Sequence, residues 1–171
     1  MKKGFTLIET LVAILLLSLM LTGASALIQQ ALQASSKIKN DTTAVFLSQE
    51  AFELVRYQRD TNKLGGNPWM DGLQPGPPCG TANGCIARIN SSTGAVTFSA
   101  CGGGGCPFLM FDPTAKIYNY SGSQTTPYQR TIKIQSVGGP NPEVRVQVTM
   151  AWTTIFGSRS YVWEENLLDW Q

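Results

Sequence analysis

Lys2-Lys3-Gly4-Phe5-Thr6-Leu7-Ile8-Glu9 opens the chain and decides how the rest is read. Two lysines precede a glycine, a phenylalanine and a long apolar segment. Residues 5–28 hold one charge, Glu9, among leucine, isoleucine, valine, alanine and methionine. A run of that length and composition is predicted to form one membrane-spanning helix. The lysines lie before the span, so the N-terminus is expected on the cytoplasmic side and the remainder on the far side. A carboxylate within a span costs about 2.5–3.5 kcal/mol at the helix centre and less near the interface. An ordinary anchor would omit it, so Glu9 asks for a reason.

Lys3-Gly4-Phe5-Thr6-Leu7-Ile8-Glu9 resembles the processing site of type IV prepilins and type II secretion pseudopilins. The resemblance implies cleavage after Gly4 by a prepilin peptidase and N-methylation of Phe5, the new first residue. It implies that Glu9 is needed for methylation or assembly. It also implies a bilayer as the subunit's first environment, an inner-membrane assembly platform, and other pilin or pseudopilin subunits in a helical filament. The subunit would start as a single-pass protein of the bacterial inner membrane and end in a periplasmic or cell-surface filament. The residues support the same role independently. Cleavage at Gly4 leaves a cationic amine on Phe5, and a buried charge is tolerated when paired. Glu9 of one subunit paired with that amine on a neighbour would set axial register. The competing reading is a secretory signal peptide with Ala24-Ser25-Ala26 as its cleavage site, which would release a chain starting at Leu27. Glu9 interrupts the apolar region that reading needs.

The rest of the 171 residues suits one exported domain. A net charge of +2 gives no strong electrostatic case for nucleic acid. Histidine is absent, which removes the usual general base, the Ser-His-Asp arrangement and most catalytic zinc sites. No catalytic residue, metal or cofactor is expected. Glu164 and Glu165 are adjacent, so an extended strand sends them to opposite faces rather than into an acid/base pair.

The helix is expected to continue to about residue 60, because residues 27–60 lack proline and glycine. It would then be roughly 80 Å long. Ala31, Ile38, Val45 and Phe52, with Leu27, Ala34 and Val55 beside them, form an apolar stripe at helical period. Glu53 and Arg56 are spaced for an i,i+3 ion pair. Breaks at Gly23 or Asn40-Asp41 are the alternative. Glycine- and proline-rich loop follows, with Trp69 and Met70 expected to pin it to a sheet. The hairpin 85–89 and 95–99, a short strand at 116–120, and a meander of 128–136, 143–153 and 158–164 complete the reading. Val144, Val146, Val148, Met150 and Trp152 alternate with polar residues, so that strand has one buried face. The fold class is therefore α+β, and the resemblance implies that it is pilin-like. A long N-terminal helix, transmembrane in its first half and amphipathic in its second, packs on an antiparallel sheet. Leu167, Leu168 and Trp170 are expected to close one sheet edge. The organisation is a leader at 1–4, a transmembrane or filament-core half at 5–28, an amphipathic half at 29–60 and a disulfide-containing β-domain at 61–171.

Cys79, Cys85, Cys101 and Cys106 are expected to form two disulfides in an oxidising compartment. Folding the hairpin about Thr93 sets Cys85 opposite Cys101 and brings Cys79 near Cys106. The nested pairing 79–106 and 85–101 is preferred on that ground. The sequential pairing 79–85 and 101–106 is the next choice, and a four-cysteine zinc site lacks the C-x2-C spacing. Gly102-Gly103-Gly104-Gly105 lacks the Lys-Ser/Thr of a phosphate loop.

Two further functions compete with a filament subunit that has no chemistry of its own. One is an adhesive or DNA-uptake binding pilin, with Trp69, Tyr118, Tyr120, Tyr128, Arg88, Lys116 and Arg130 as the binding surface. The other is the secreted domain cleaved after Ala26.

Overall fold

The structure is a computed structural model that describes residues 4, 6–90, 92–138, 143–155 and 157–169. Helix α1 (Leu7–Leu64) is followed by β1 (Cys85–Ile89), β2 (Val96–Ala100), β3 (Phe108–Asp112), β4 (Ile117–Asn119), β5 (Gln124–Ser136), β6 (Glu143–Thr154) and β7 (Gly157–Leu168). One long helix thus precedes an antiparallel seven-stranded sheet. The chain divides into two compact units, residues 1–42 and 43–171. α1 runs without a break through Gly23 and through Asn40-Asp41.

In unit 1 the described side chains from Thr6 to Ser35 are all exposed. The most apolar 18-residue window has a mean hydropathy of 2.5, and the helix is long and apolar enough to cross a membrane. Hydroxyls along it bond back to the helix. Thr10 donates to Leu7 O at 2.8 Å, Ser18 to Leu15 O at 2.8 Å and Ser25 to Leu21 O at 2.9 Å. Such back-bonding leaves these hydroxyl protons with no need of water, as a hydrocarbon surrounding requires.

Unit 2 is built around β5. One edge of β5 pairs with β6 from Tyr128↔Trp152 to Ser136↔Val144, and β6 pairs with β7 along its whole length. The other edge of β5 is shared. Its first half takes β3, which carries β4, and Ile132 takes Cys85 of β1, which carries β2. The alternation read in β6 holds: Val144, Val146, Val148, Met150 and Trp152 are buried. The last part of α1 covers that face. Ala51, Leu54 and Val55 share a cluster with Ile132, Ile134, Val146 and Val148; Ala44 and Leu47 share another with Tyr128, Met150 and Trp152.

The buried face of α1 corrects the expected stripe. Ala44, Leu47, Ser48, Ala51, Leu54, Val55 and Asn62 are buried, whereas Ile38 is 64% and Val45 37% exposed and Phe52 only borders the core. Small side chains at 44, 48 and 51 let the helix approach the sheet closely. A heptad of large apolar residues marks the neighbouring phase of the same helix. The Glu53–Arg56 ion pair forms as spaced, and Arg56 also grips Glu165 of β7.

Trp69 is buried and Met70 packs against the same core, as expected. Asn62 fastens this loop, its Nδ2 donating to Trp69 O at 3.1 Å and Asp71 O at 2.8 Å. Leu167 is buried opposite Val144 as part of edge strand β7. Trp170 lies outside the described residues.

The disulfides join Cys79 to Cys85 and Cys101 to Cys106, which overturns the nested pairing. The reason is register. The hairpin pairs Cys85 with Ala100, not Cys101, and a one-residue slip turns a side chain to the opposite face. Cys101 instead closes the four-glycine loop, where Gly105 N donates to Gly102 O at 3.0 Å. Both rings are short, with sequence separations of 6 and 5, so each bridge contributes about 2 kcal/mol. Gly84 precedes β1 at φ +69, and a Cβ there would lie 2.6 Å from Ile132 O. Glycine is the residue that fits so close to β5.

Candidate functional site

The candidate site is the start of α1. Gly4 stands in irregular backbone before the helix. A Cβ at Gly4 would meet nothing within 4 Å, and its φ is not in the left-handed region. The fold therefore makes no demand for glycine at this position. Phe5 lies outside the described residues. Thr6 caps the helix: its carbonyl accepts from Glu9 N at 3.1 Å and Thr10 N at 3.3 Å. Glu9 falls in the first turn and is exposed. Thr6-Leu7-Ile8-Glu9 has the Thr-x-x-Glu spacing of a capping box, and the positive end of the helix dipole favours a carboxylate there. Thr6 is easily missed in a reading centred on charge, and that spacing is the signal that finds it.

Glu9 is the sole charge from Thr6 to Ser36. Around it, exposed Leu7, Ile8, Leu11 and Val12 offer no side-chain hydrogen-bonding group. If this surface is covered by lipid or by other helices, the carboxylate needs a cation from outside the described residues.

Residues 1–25 match the family model of the prokaryotic N-terminal methylation motif. The chain carries a type IV pilin-like prepilin leader. Gly4, Phe5 and Glu9 all fall inside the matched stretch. The leader belongs to structural rather than catalytic proteins and implies processing by prepilin peptidase and assembly with other pilins. No curated protein and no solved structure shows significant similarity to the chain.

Only some of the residues proposed from sequence for a binding surface lie at the surface. Trp69, Tyr120, Tyr128 and Arg130 are buried in unit 2. Arg88 is exposed and stacks over the Tyr120 ring at 5.5 Å. Arg130 is only 1% exposed; its Nη1 donates to Leu47 O at 3.0 Å and to Glu50 Oε2 at 3.1 Å. It is a tie between β5 and α1. Burial pushes the Tyr120 hydroxyl above its ordinary pKa, and the neighbouring Arg130 cation offsets this only in part. Glu164 and Glu165 do take opposite faces: Glu164 accepts from Gln147 at 2.7 Å, while Glu165 holds Arg56, whose pKa it raises by hydrogen bonding.

Proposed function

We propose that the chain is a non-enzymatic structural subunit, a minor pilin or minor pseudopilin, of a type IV pilus or a type II secretion pseudopilus. Prepilin peptidase cuts after Gly4 and methylates the amine of Phe5. Residues 5–28 hold the subunit in the inner membrane and then form the filament core. Unit 2 packs outside that core and carries whatever specificity the subunit has. The observation that carries this reading is Glu9, one carboxylate in the first turn of an apolar, fully exposed helix, inside a matched methylation motif.

Gly23 supports the same reading. It sits inside α1, and a Cβ there would meet nothing within 4 Å, so the isolated fold does not need glycine at this position. It lowers helix stability by up to about 1 kcal/mol relative to alanine. Small residues are what tightly packed helices use at their contacts.

Intact mass of the membrane-purified protein tests the proposal. The expected species lacks residues 1–4 and carries one extra methyl group. A chain beginning at Leu27 would overturn it in favour of a cleaved secretory signal.

A further inference from the structure

The sheet of unit 2 ends in three strands, β2, β4 and β7. β2 has five residues and β4 three, whereas β7 has twelve. β6 pairs with one side of β7 from Glu143↔Leu168 to Thr154↔Gly157 without a shift of register. No described strand pairs with its other side. From Ser160 to Leu168 its backbone makes no hydrogen bond outside that ladder to any described residue. Edge strands are usually short or bulged, or carry lysine or proline, which discourages pairing with another chain. β7 has none of these features.

Its sequence is complementary to itself. Opposed residues in an antiparallel pair lie on one face of the sheet. Two copies of β7 can therefore continue one sheet only in registers that oppose odd with odd and even with even. The register centred on Val162 sets Arg159 against Glu165 and Tyr161 against Trp163 on the helix-covered face. On the other face it sets Ser160 against Glu164 and Ser158 against Asn166. Each match occurs twice. A slip of the centre by one residue either way opposes Arg159 with Trp163 or Leu167 and loses both ion pairs. Val162 is 54% and Tyr161 38% exposed, so the centre of the register has apolar surface to bury. The Tyr161 ring already lies 5.4 Å from Trp152 and 5.7 Å from Trp163, and the rings of a second copy would extend that run. Arg56 holds Glu165, but a carboxylate has about four acceptor sites and can take a second guanidinium.

We propose that two unassembled copies of this chain join edge to edge through β7, antiparallel about Val162, into one continuous sheet. A second copy is the occupant because the charges and rings of β7 match those of β7 itself. Such a contact is isologous and closes on two copies, whereas a filament is built from heterologous contacts that repeat. The pair is therefore a state of unassembled subunits, given up on entry into a filament. That consequence rests on the filament reading; the pairing does not.

The experiment uses the full chain in detergent micelles with one added cysteine, the four native ones being disulfide-bonded. Val162→Cys opposes itself at about 4.5–5.5 Å between Cα atoms, within reach of a disulfide. Ser160→Cys is displaced from its own copy by roughly 13 Å along the strand and should not link. On mild oxidation the expected result is a disulfide dimer at 162 in several-fold the yield at 160. Mixing Ser160→Cys with Glu164→Cys protein should give a linked 160–164 dimer. No dimer at 162 overturns the proposal. So do equal yields at 160 and 162, which would mark unspecific association through the apolar helix. Adding Arg159→Glu to Val162→Cys opposes carboxylates at both ends of the register and should cut the yield several-fold; an unchanged yield overturns the register. Intact mass tests the filament reading separately, so either can fail alone.

Discussion

From Thr6 to Ser35 every described side chain of the N-terminal stretch is exposed, whereas from Ala44 to Asn62 the same helix buries seven. As far as Ile28 the first stretch is apolar all round, and none of its described side chains is buried. The second has a narrow face of small and medium side chains fitted to a sheet, closed by Arg130, two disulfides and an asparagine-anchored loop. Stability in unit 2 is thus internal. In unit 1 it is supplied by whatever surrounds the helix, which for a filament subunit is lipid first and neighbouring helices after assembly. The contrast predicts that substitutions separate cleanly: those in unit 1 alter assembly and leave folding alone, and those in unit 2 do the reverse.

The largest effect is expected at Glu9. Glu9→Gln removes a costly charge from an apolar tract, so membrane insertion is kept or improved. In the proposed filament it leaves the Phe5 amine buried without a partner, at several kcal/mol per subunit. Since about 1.4 kcal/mol is already tenfold, immunogold labelling should find incorporation reduced at least tenfold at unchanged membrane abundance. Glu9→Asp should be intermediate, keeping the charge with a shorter reach. Unit 2 should melt at the same temperature in all three proteins. Normal incorporation of Glu9→Gln would defeat the pairing mechanism.

Arg130 is the converse case. Arg130→Ala removes the donor to Leu47 O and the partner of Glu50. The cost is about 2 kcal/mol, since Glu50 retains access to water, or a fall on the order of 8 °C in Tm. Membrane insertion should not change. An unaltered Tm would show that this tie does not hold helix to sheet.

The sequence made some of this visible and hid the rest for identifiable reasons. Glu9 stands out in the sequence because a lone carboxylate in an apolar run is costly, whatever the fold; its role is a proposal. The β5–β6–β7 meander was legible because period-2 alternation reports a one-sided sheet directly. The phase of the helix was not. Ala44, Ser48 and Ala51 carry little hydrophobic signal, and they are buried because they are small enough for close approach. The disulfide pairing turned on a single residue of hairpin register, Cys85 against Ala100 rather than Cys101. Arg130 and Tyr120 looked like surface chemistry because composition alone cannot tell a buried cation tied to a helix carbonyl from one facing solvent.

The smallest effect expected is at Tyr120, and it sharpens what the interior of unit 2 tolerates. Its hydroxyl is buried with no partner at hydrogen-bonding geometry. Removing an unsatisfied buried polar atom is neutral or mildly stabilising, so Tyr120→Phe should leave Tm at pH 7 unchanged or raise it by about a degree or two, corresponding to less than about 1 kcal/mol. The difference should appear at high pH. Burial raises the Tyr120 pKa in the folded chain above the ordinary value of 10.0. Below that ordinary value both states are protonated and the contribution is constant. Above it the unfolded chain loses the proton first, so it binds fewer protons than the folded one and stability falls as pH rises. The fall continues until the folded group also ionises. Melting curves between about pH 9 and 11 should therefore decline more steeply for the parent than for Tyr120→Phe. Parallel declines would mean that the hydroxyl reaches water in the folded protein, and that the packing of Tyr120 between Arg88 and Arg130 is looser than its burial indicates.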